Sequence, residues 1–168
     1  MIHIVLMGGT IDEHWDGTTD TVVPNKSSVI PDYLAGLHLP QKIKYSEVCL
    51  KDSRALTTSD LKKMVRVVED STCRQVVVTH GTYTMPDSAR YLKAQLKRKD
   101  LTVVFTGSFV PLNGFTFSDA PFNLGFALAE VGQLPVGGVY VCMGGKVLTA
   151  EEATKFISKG KFISLLQS

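Results

Sequence analysis

At 168 residues the chain has the length of a single domain. A chain of this size buries roughly 70% of its unfolded surface, so a core needs no disulfide to hold it. The composition, 44% hydrophobic and 20% charged with a net charge of +2, is that of a globular protein and gives no electrostatic reason for a nucleic-acid or membrane partner.

The first apolar run, residues 2–7, begins almost at the N-terminus with no charged leader and no cleavage site, so no signal peptide is expected. Similar runs follow at 45–50, 75–78, 101–105 and 138–143. They are rich in Val and Ile and nearly continuous, as strands covered on both faces are. None approaches the ~20 residues of a membrane span. Helical spacing lies between them. A capped segment begins at Thr58, Ser59 and Asp60, with Leu61, Met64, Val65 and Val68 on one face. Pro86 opens a second helix that carries Ala89, Leu92 and Leu96, and residues 119–131 form a third. Residues 12–31 are polar and read as a long functional loop. The basic cluster at 93–99 falls at a helix C-terminus, where the helix dipole favours cations.

Strand, helix and strand in alternation predict an α/β domain, three layers around a mainly parallel, doubly wound sheet. Cys49, Cys73 and Cys142 are odd in number and widely spaced. They read as free thiols of a reducing cytoplasm rather than as disulfides or metal ligands.

Ligands of such sheets bind beyond the carboxyl ends of the strands. There the chain reads Gly8-Gly9-Thr10, Thr79-His80-Gly81-Thr82 and Thr106-Gly107-Ser108. Glycine lets the backbone approach a ligand closely, and its N–H groups can hold an oxyanion or carboxylate. One Gly-Thr pair is ordinary turn chemistry, but three on one rim point to a site.

These residues resemble the bacterial-type L-asparaginases. Gly8-Gly9-Thr10-Ile11 is similar to the first signature of that family. Thr79-His80-Gly81-Thr82-Tyr83-Thr84-Met85 is similar to the second, whose usual form is Thr-His-Gly-Thr-Asp-Thr-Met. Ser118 to Leu124 resembles the Ser-x-Asp-Gly-Pro-Phe-Asn-Leu segment, and the stretch 139–155 resembles the one that ends in the catalytic lysine. The resemblance runs along the whole chain in order and implies a short form, a single domain over 1–168 without the C-terminal domain of the full-length enzymes.

The resemblance also implies a chemistry: hydrolysis of a side-chain amide, of asparagine or a related small amide, through a threonine acyl-enzyme. By motif, Thr10 is the nucleophile, Thr82 the second catalytic threonine and Lys155 its partner. Lys155 acts as a base only with a lowered pKa, which partial burial supplies. Without the resemblance it would read as a solvated lysine on a polar helix. Gly9, Asp52, Ser53, Arg54, Gly81, Tyr83, Ser108 and Trp15 are the expected substrate-binding residues. Neither metal nor organic cofactor is implied, and a homodimer or homotetramer is expected from the family. His80 is expected to be structural.

Three positions depart from the family pattern. Tyr83 replaces the aspartate that binds the substrate α-ammonium, Arg54 stands where a neutral polar residue is common, and Trp15 takes the place of a loop tyrosine. Tryptophan has no hydroxyl to activate Thr10, which leaves His14 as a candidate acceptor. Losing one partner of a buried ion pair costs several kcal/mol, about tenfold in rate per 1.4 kcal/mol. The substrate is therefore expected to lack an α-amino group, or turnover to be weak. The alternative is a domain that kept the fold, lost the chemistry and binds a small carboxylate. A dinucleotide-binding domain is disfavoured, because the spaced third glycine and the acidic residue after the second strand are absent.

Overall fold

The computed structural model describes residues 1–166. In chain order the elements are β1 (Ile2–Gly8), β2 (Glu13–Asp16), β3 (Thr21–Pro24), α1 (Ile30–Gly36), β4 (Ile43–Lys51), α2 (Thr58–Glu69), β5 (Gln75–Thr79), α3 (Met85–Gln95), β6 (Thr102–Thr106), α4 (Ala120–Glu130), β7 (Val139–Met143), β8 (Lys146–Thr149), β9 (Ala153–Phe156) and β10 (Lys161–Ser164). The main sheet has the order β4-β1-β5-β6-β7-β8. All its pairings are parallel except that of β8, which returns antiparallel along β7.

The alternation of side chains along the strands divides the core into two layers. On one face Val5, Met7, Val76, Val78, Val103 and Phe105 meet Met64 and Val68 of α2 and Ala89 and Leu92 of α3. On the other, Ile4, Leu6, Val77 and Val104 meet Ile30 and Leu34 of α1 and Leu124 and Ala127 of α4. This is the expected three-layer α/β domain. Apolar burial on both faces also explains why the strand sequences are continuous rather than alternating.

Helix starts follow local chemistry. The Thr57 hydroxyl accepts from the Asp60 N–H while the Asp60 carboxylate accepts from the Thr57 N–H, a reciprocal cap one residue before the position read from sequence. Pro86 and Pro121 sit in the first turns of α3 and α4, where the missing N–H costs nothing. At the far end of α3, Lys93 pairs with Glu151. Arg98 forks onto Asp100 and donates to the Ser71 carbonyl.

Residues 12–31, read as a loop, instead hold the β2–β3 hairpin and the start of α1. Asp12 organises them. Its carboxylate is buried and accepts from the Ser28 hydroxyl at 2.8 and 2.9 Å and from the Val29 N–H at 2.9 Å. Its carbonyl accepts from the Asn25 side chain at 2.8 Å. Burial pushes the Asp12 carboxyl above its ordinary range, and these donors pull it back. Strands of four residues are too short to show a period, and the anchor lies outside them. Residues 153–156 likewise form a strand, so Lys155 stands on β9 and not on a helix.

Two glycines set how closely the strand ends meet. Gly9 has φ +81°, and a Cβ there would overlap the Gly81 backbone. A Cβ on Gly81 would lie 2.7 Å from that of Ser53. Gly9→Ala adds left-handed strain of about 1–2 kcal/mol to that overlap. It is expected to lower the melting temperature by about 5 °C or more, measured by circular dichroism.

Candidate active site

Along the chain, the five parallel strands lie in the spatial order second, first, third, fourth, fifth. The sheet therefore reverses its winding between β1 and β5, and the crevice beyond the carboxyl ends at such a switch point is where open α/β sheets place ligands. Gly9 and Thr10 leave β1 on one side of it; Gly81 and Thr82 follow β5 on the other. Asp52, Ser53 and Arg54 come from the end of β4.

A cleft of about 240 Å³ opens there, lined by Gly9, Thr10, Asp52, Ser53, Arg54, Gly81, Thr82, Tyr83, Phe109 and Lys155. Lys155 reaches in from β9, 73 residues along the chain from Thr82, and its Nζ donates to the Thr82 Oγ1 at 2.7 Å. The ammonium lies 5.0 Å from the Phe109 ring centre and 5.9 Å from that of Tyr83. Burial lowers its pKa first and the Arg54 charge lowers it further, while Asp52 acts in the opposite direction.

Arg54 stands over Tyr83 at 5.7 Å and forks onto Asp52, with Nε to Oδ1 and Nη2 to Oδ2 both at 3.0 Å. The Arg54 N–H also donates to Oδ1 at 2.7 Å. These bonds hold the Asp52 carboxyl below its usual range, and both its oxygens are engaged. Ser53 is buried beneath Gly81; its carbonyl accepts from the Thr84 hydroxyl at 3.0 Å, which ties the end of β4 to the segment after β5.

Two expected residues lie elsewhere. Ser108 is fully buried and its hydroxyl donates to the Val110 carbonyl at 2.6 Å, so it lines the strand exit and not the cleft. The residue after it, Phe109, is the one that enters. Trp15, 52% exposed, stands on β2 beside a broad apolar hollow shared with Thr10, Val22, Phe109, Phe115 and Phe117. His14, the candidate acceptor, is exposed, and the alternation of a strand turns it away from the face that Glu13 and Trp15 share.

His80 is fully buried. One ring nitrogen, Nδ1, is 2.8 Å from the Gly81 carbonyl and the other has no partner among the described residues. Burial depresses its pKa to about 4, and the Gly81 carbonyl opposes this. A neutral ring that pins the Gly81 backbone is a structural part of the cleft wall.

Glu13 was not foreseen. It is 5% exposed at the end of the single helical turn that begins at Thr10. A glutamate five residues past a strand reads as solvated loop, and only the folded hairpin buries it.

The sequence over residues 1–161 matches the family model for the N-terminal domain of asparaginase. The chain belongs to the asparaginase family.

A glutaminase-asparaginase from Acinetobacter glutaminasificans is 30% identical across 92% of this chain and 49% of its own length. The L-asparaginase 2 of Escherichia coli is 31% identical across 92% of this chain and 46% of its own. Among solved structures, the thermostable L-asparaginase from Thermococcus kodakarensis superposes with a TM-score of 0.82 at 28% identity, covering 98% of this chain and 51% of that one. A probable cytoplasmic L-asparaginase from Campylobacter jejuni gives 0.78 at 26%, covering 97% and 52%. This asparaginase-family chain thus spans about half the length of the relatives it matches. Among its described residues no helix is long and apolar enough to cross a membrane.

Proposed function

We propose that this chain is an amidohydrolase that cleaves a small amide to its acid and ammonia through an acyl-enzyme on Thr10. The observation that carries the reading is the 2.7 Å contact between Lys155 and Thr82 in a cleft that Thr10 also lines. Nothing in the sequence distance between these residues requires them to meet.

In this reading the Thr10 hydroxyl attacks the amide carbon, and N–H groups of the glycine-bearing strand ends receive the oxyanion. The C–N bond breaks, ammonia leaves, and water activated by the Thr82–Lys155 pair hydrolyses the ester. For that step Lys155 must be neutral, and its lowered pKa moves it in that direction.

The charge pattern selects the substrate. Arg54 and Ser53 suit a carboxylate. The Asp52 oxygens are already engaged by Arg54, and Tyr83 offers a phenol where the family has an aspartate. A substrate α-ammonium therefore finds no free anion among the lining residues. The preferred substrate is an amide with a carboxylate and no α-amino group, such as succinamate. A second reading, a carboxylate-binding domain with lost turnover, draws on the same Arg54–Tyr83 stack. In either case we place the chain in the cytoplasm as a homodimer or homotetramer, with the exposed aromatic side chains beside the cleft as its apolar contact surface.

Ammonia release from asparagine, glutamine and succinamate tests this. Succinamate is expected to exceed asparagine in kcat/KM by about tenfold or more, the equivalent of 1.4 kcal/mol of differential binding. No release from any of the three, together with saturable binding of succinate, would give the binding reading instead.

A further inference from the structure

We propose that Glu13 is the proton acceptor of Thr10, so that each threonine of the cleft has its own base: Lys155 for Thr82 and Glu13 for Thr10. The proposal rests on the amidohydrolase reading above and supplies the activator that Trp15 cannot.

The geometry is local and rigid. Thr10 opens a single 3-10 turn, and the Glu13 N–H closes it by donating to the Thr10 carbonyl. One turn of such a helix brings residues three apart onto the same side. The next residues continue as β2, where Glu13 is paired with Pro24. Asp12, just before it, is anchored to Ser28 and Val29. The carboxyl group is thus held on both sides, nearly out of solvent, one helical turn from Thr10 and on the strand face it shares with Trp15, which lines a hollow together with Thr10.

No cation forms an ion pair with Glu13 among the described residues, because the guanidinium of Arg54 is taken by Asp52. A carboxylate in that setting is a better base than one in water. Burial raises its pKa first and the charge of Asp52 adds to this, against the Thr10 hydrogen bond and the Arg54 charge. A base whose pKa is moved toward the working pH is the more effective one.

The step balances without a co-reactant. As the Thr10 Oγ–carbon bond forms, the hydroxyl proton passes to the Glu13 carboxylate and the electron pair of the C=O moves onto oxygen. When the tetrahedral species collapses, the C–N bond breaks and the nitrogen leaves with the proton from Glu13, which restores the carboxylate.

The test acylates Thr10 with the p-nitrophenyl monoester of succinic acid and follows the adduct by intact mass and peptide mapping. This reads the step separately from amide turnover. The wild-type chain is expected to label at Thr10, with a rate that falls as pH drops through the raised pKa of Glu13. Glu13→Gln should slow labelling about 100- to 10,000-fold and remove that acid limb. Glu13→Asp, which keeps the charge, should label slowly with the limb retained, and serves where the glutamine variant does not fold. Succinate should bind the variants with unchanged Kd, which a merely structural role would not predict alongside the lost limb. Glu13→Gln labelling at the wild-type rate with the wild-type pH profile overturns the assignment of Glu13 alone. A wild-type chain that leaves Thr10 unlabelled overturns the amidohydrolase reading and this assignment with it.

Discussion

Thr10→Ala is expected to lower kcat on the best amide by on the order of 10,000-fold or more, because in the proposed mechanism it removes the atom that forms the covalent intermediate and not merely a group that stabilises it. Thr10 is half-buried on a one-turn helix whose backbone bonds do not involve its side chain. The variant should therefore fold and melt near the wild-type temperature. Binding of succinate should survive, since Ser53 and Arg54 are untouched. An intact-mass experiment on the quenched reaction adds the decisive readout: the acyl adduct seen on the wild-type chain should be missing. Full activity in Thr10→Ala would remove Thr10 as nucleophile and move the search to Thr82, the other threonine of the cleft.

Lys155→Met should lower kcat by about 100- to 10,000-fold, the usual worth of a positioned base. Methionine keeps much of the length and the apolar stem and ends near the Phe109 and Tyr83 rings that the ammonium faces, so β9 should stay in place. The pH dependence discriminates further. Burial and Arg54 lower the folded-state pKa of Lys155. The neutral amine is the active form, so its fraction grows as pH rises through that lowered value. Wild-type deacylation should therefore increase with pH on the alkaline side, and Lys155→Met should be flat there. Glu13 acts in acylation and Lys155 in deacylation, so following the two half-reactions separately keeps the two limbs apart. If the product of the first half-reaction accumulates in Lys155→Met as a stable acyl-enzyme, Lys155 serves the second half. If no acyl-enzyme forms, it serves the first.

The electrostatics of the cleft carry a consequence for specificity. Arg54 and Asp52 neutralise each other in a fork exposed to solvent, where such a pair by itself contributes about 0–1 kcal/mol to stability. Its effect is on recognition: by occupying Asp52 it removes the one lining carboxylate. The Arg54 plane over Tyr83 then presents a cationic surface where the family pattern has a negative charge. On the proposed reading, specificity follows from the repulsion of an ammonium as much as from attraction of a carboxylate.

Much of this protein was legible from the order of its residues. The strands β1, β5, β6 and β7 stand at their apolar runs, because a strand buried on both faces must be apolar throughout, while the edge strand β4 is only half-buried and mixes polar residues with its apolar ones. The helices begin at their polar caps and first-turn prolines for reasons confined to a few neighbouring residues. The motif glycines mark where strand ends crowd together, since no larger residue fits there. Of the expected site residues, Gly9, Thr10, Asp52, Ser53, Arg54, Gly81, Thr82, Tyr83 and Lys155 share one cleft.

What only the tertiary structure decided depends on contacts between distant segments. The hairpin within residues 12–31 exists because Asp12 is buried against Ser28 and Val29, a non-local anchor that no short periodicity reports. Ser108, expected in the site, stays out of the crevice and the unforeseen Phe109 enters it, because the chain leaves β6 at Thr106 and turns there with the Ser108 hydroxyl bound to the Val110 carbonyl. Glu13 looks like a solvated loop acid until the hairpin closes over it and buries it one turn from Thr10. A residue's identity is written in the chain, but its dielectric surroundings, and with them its chemistry, are set by what folds back onto it.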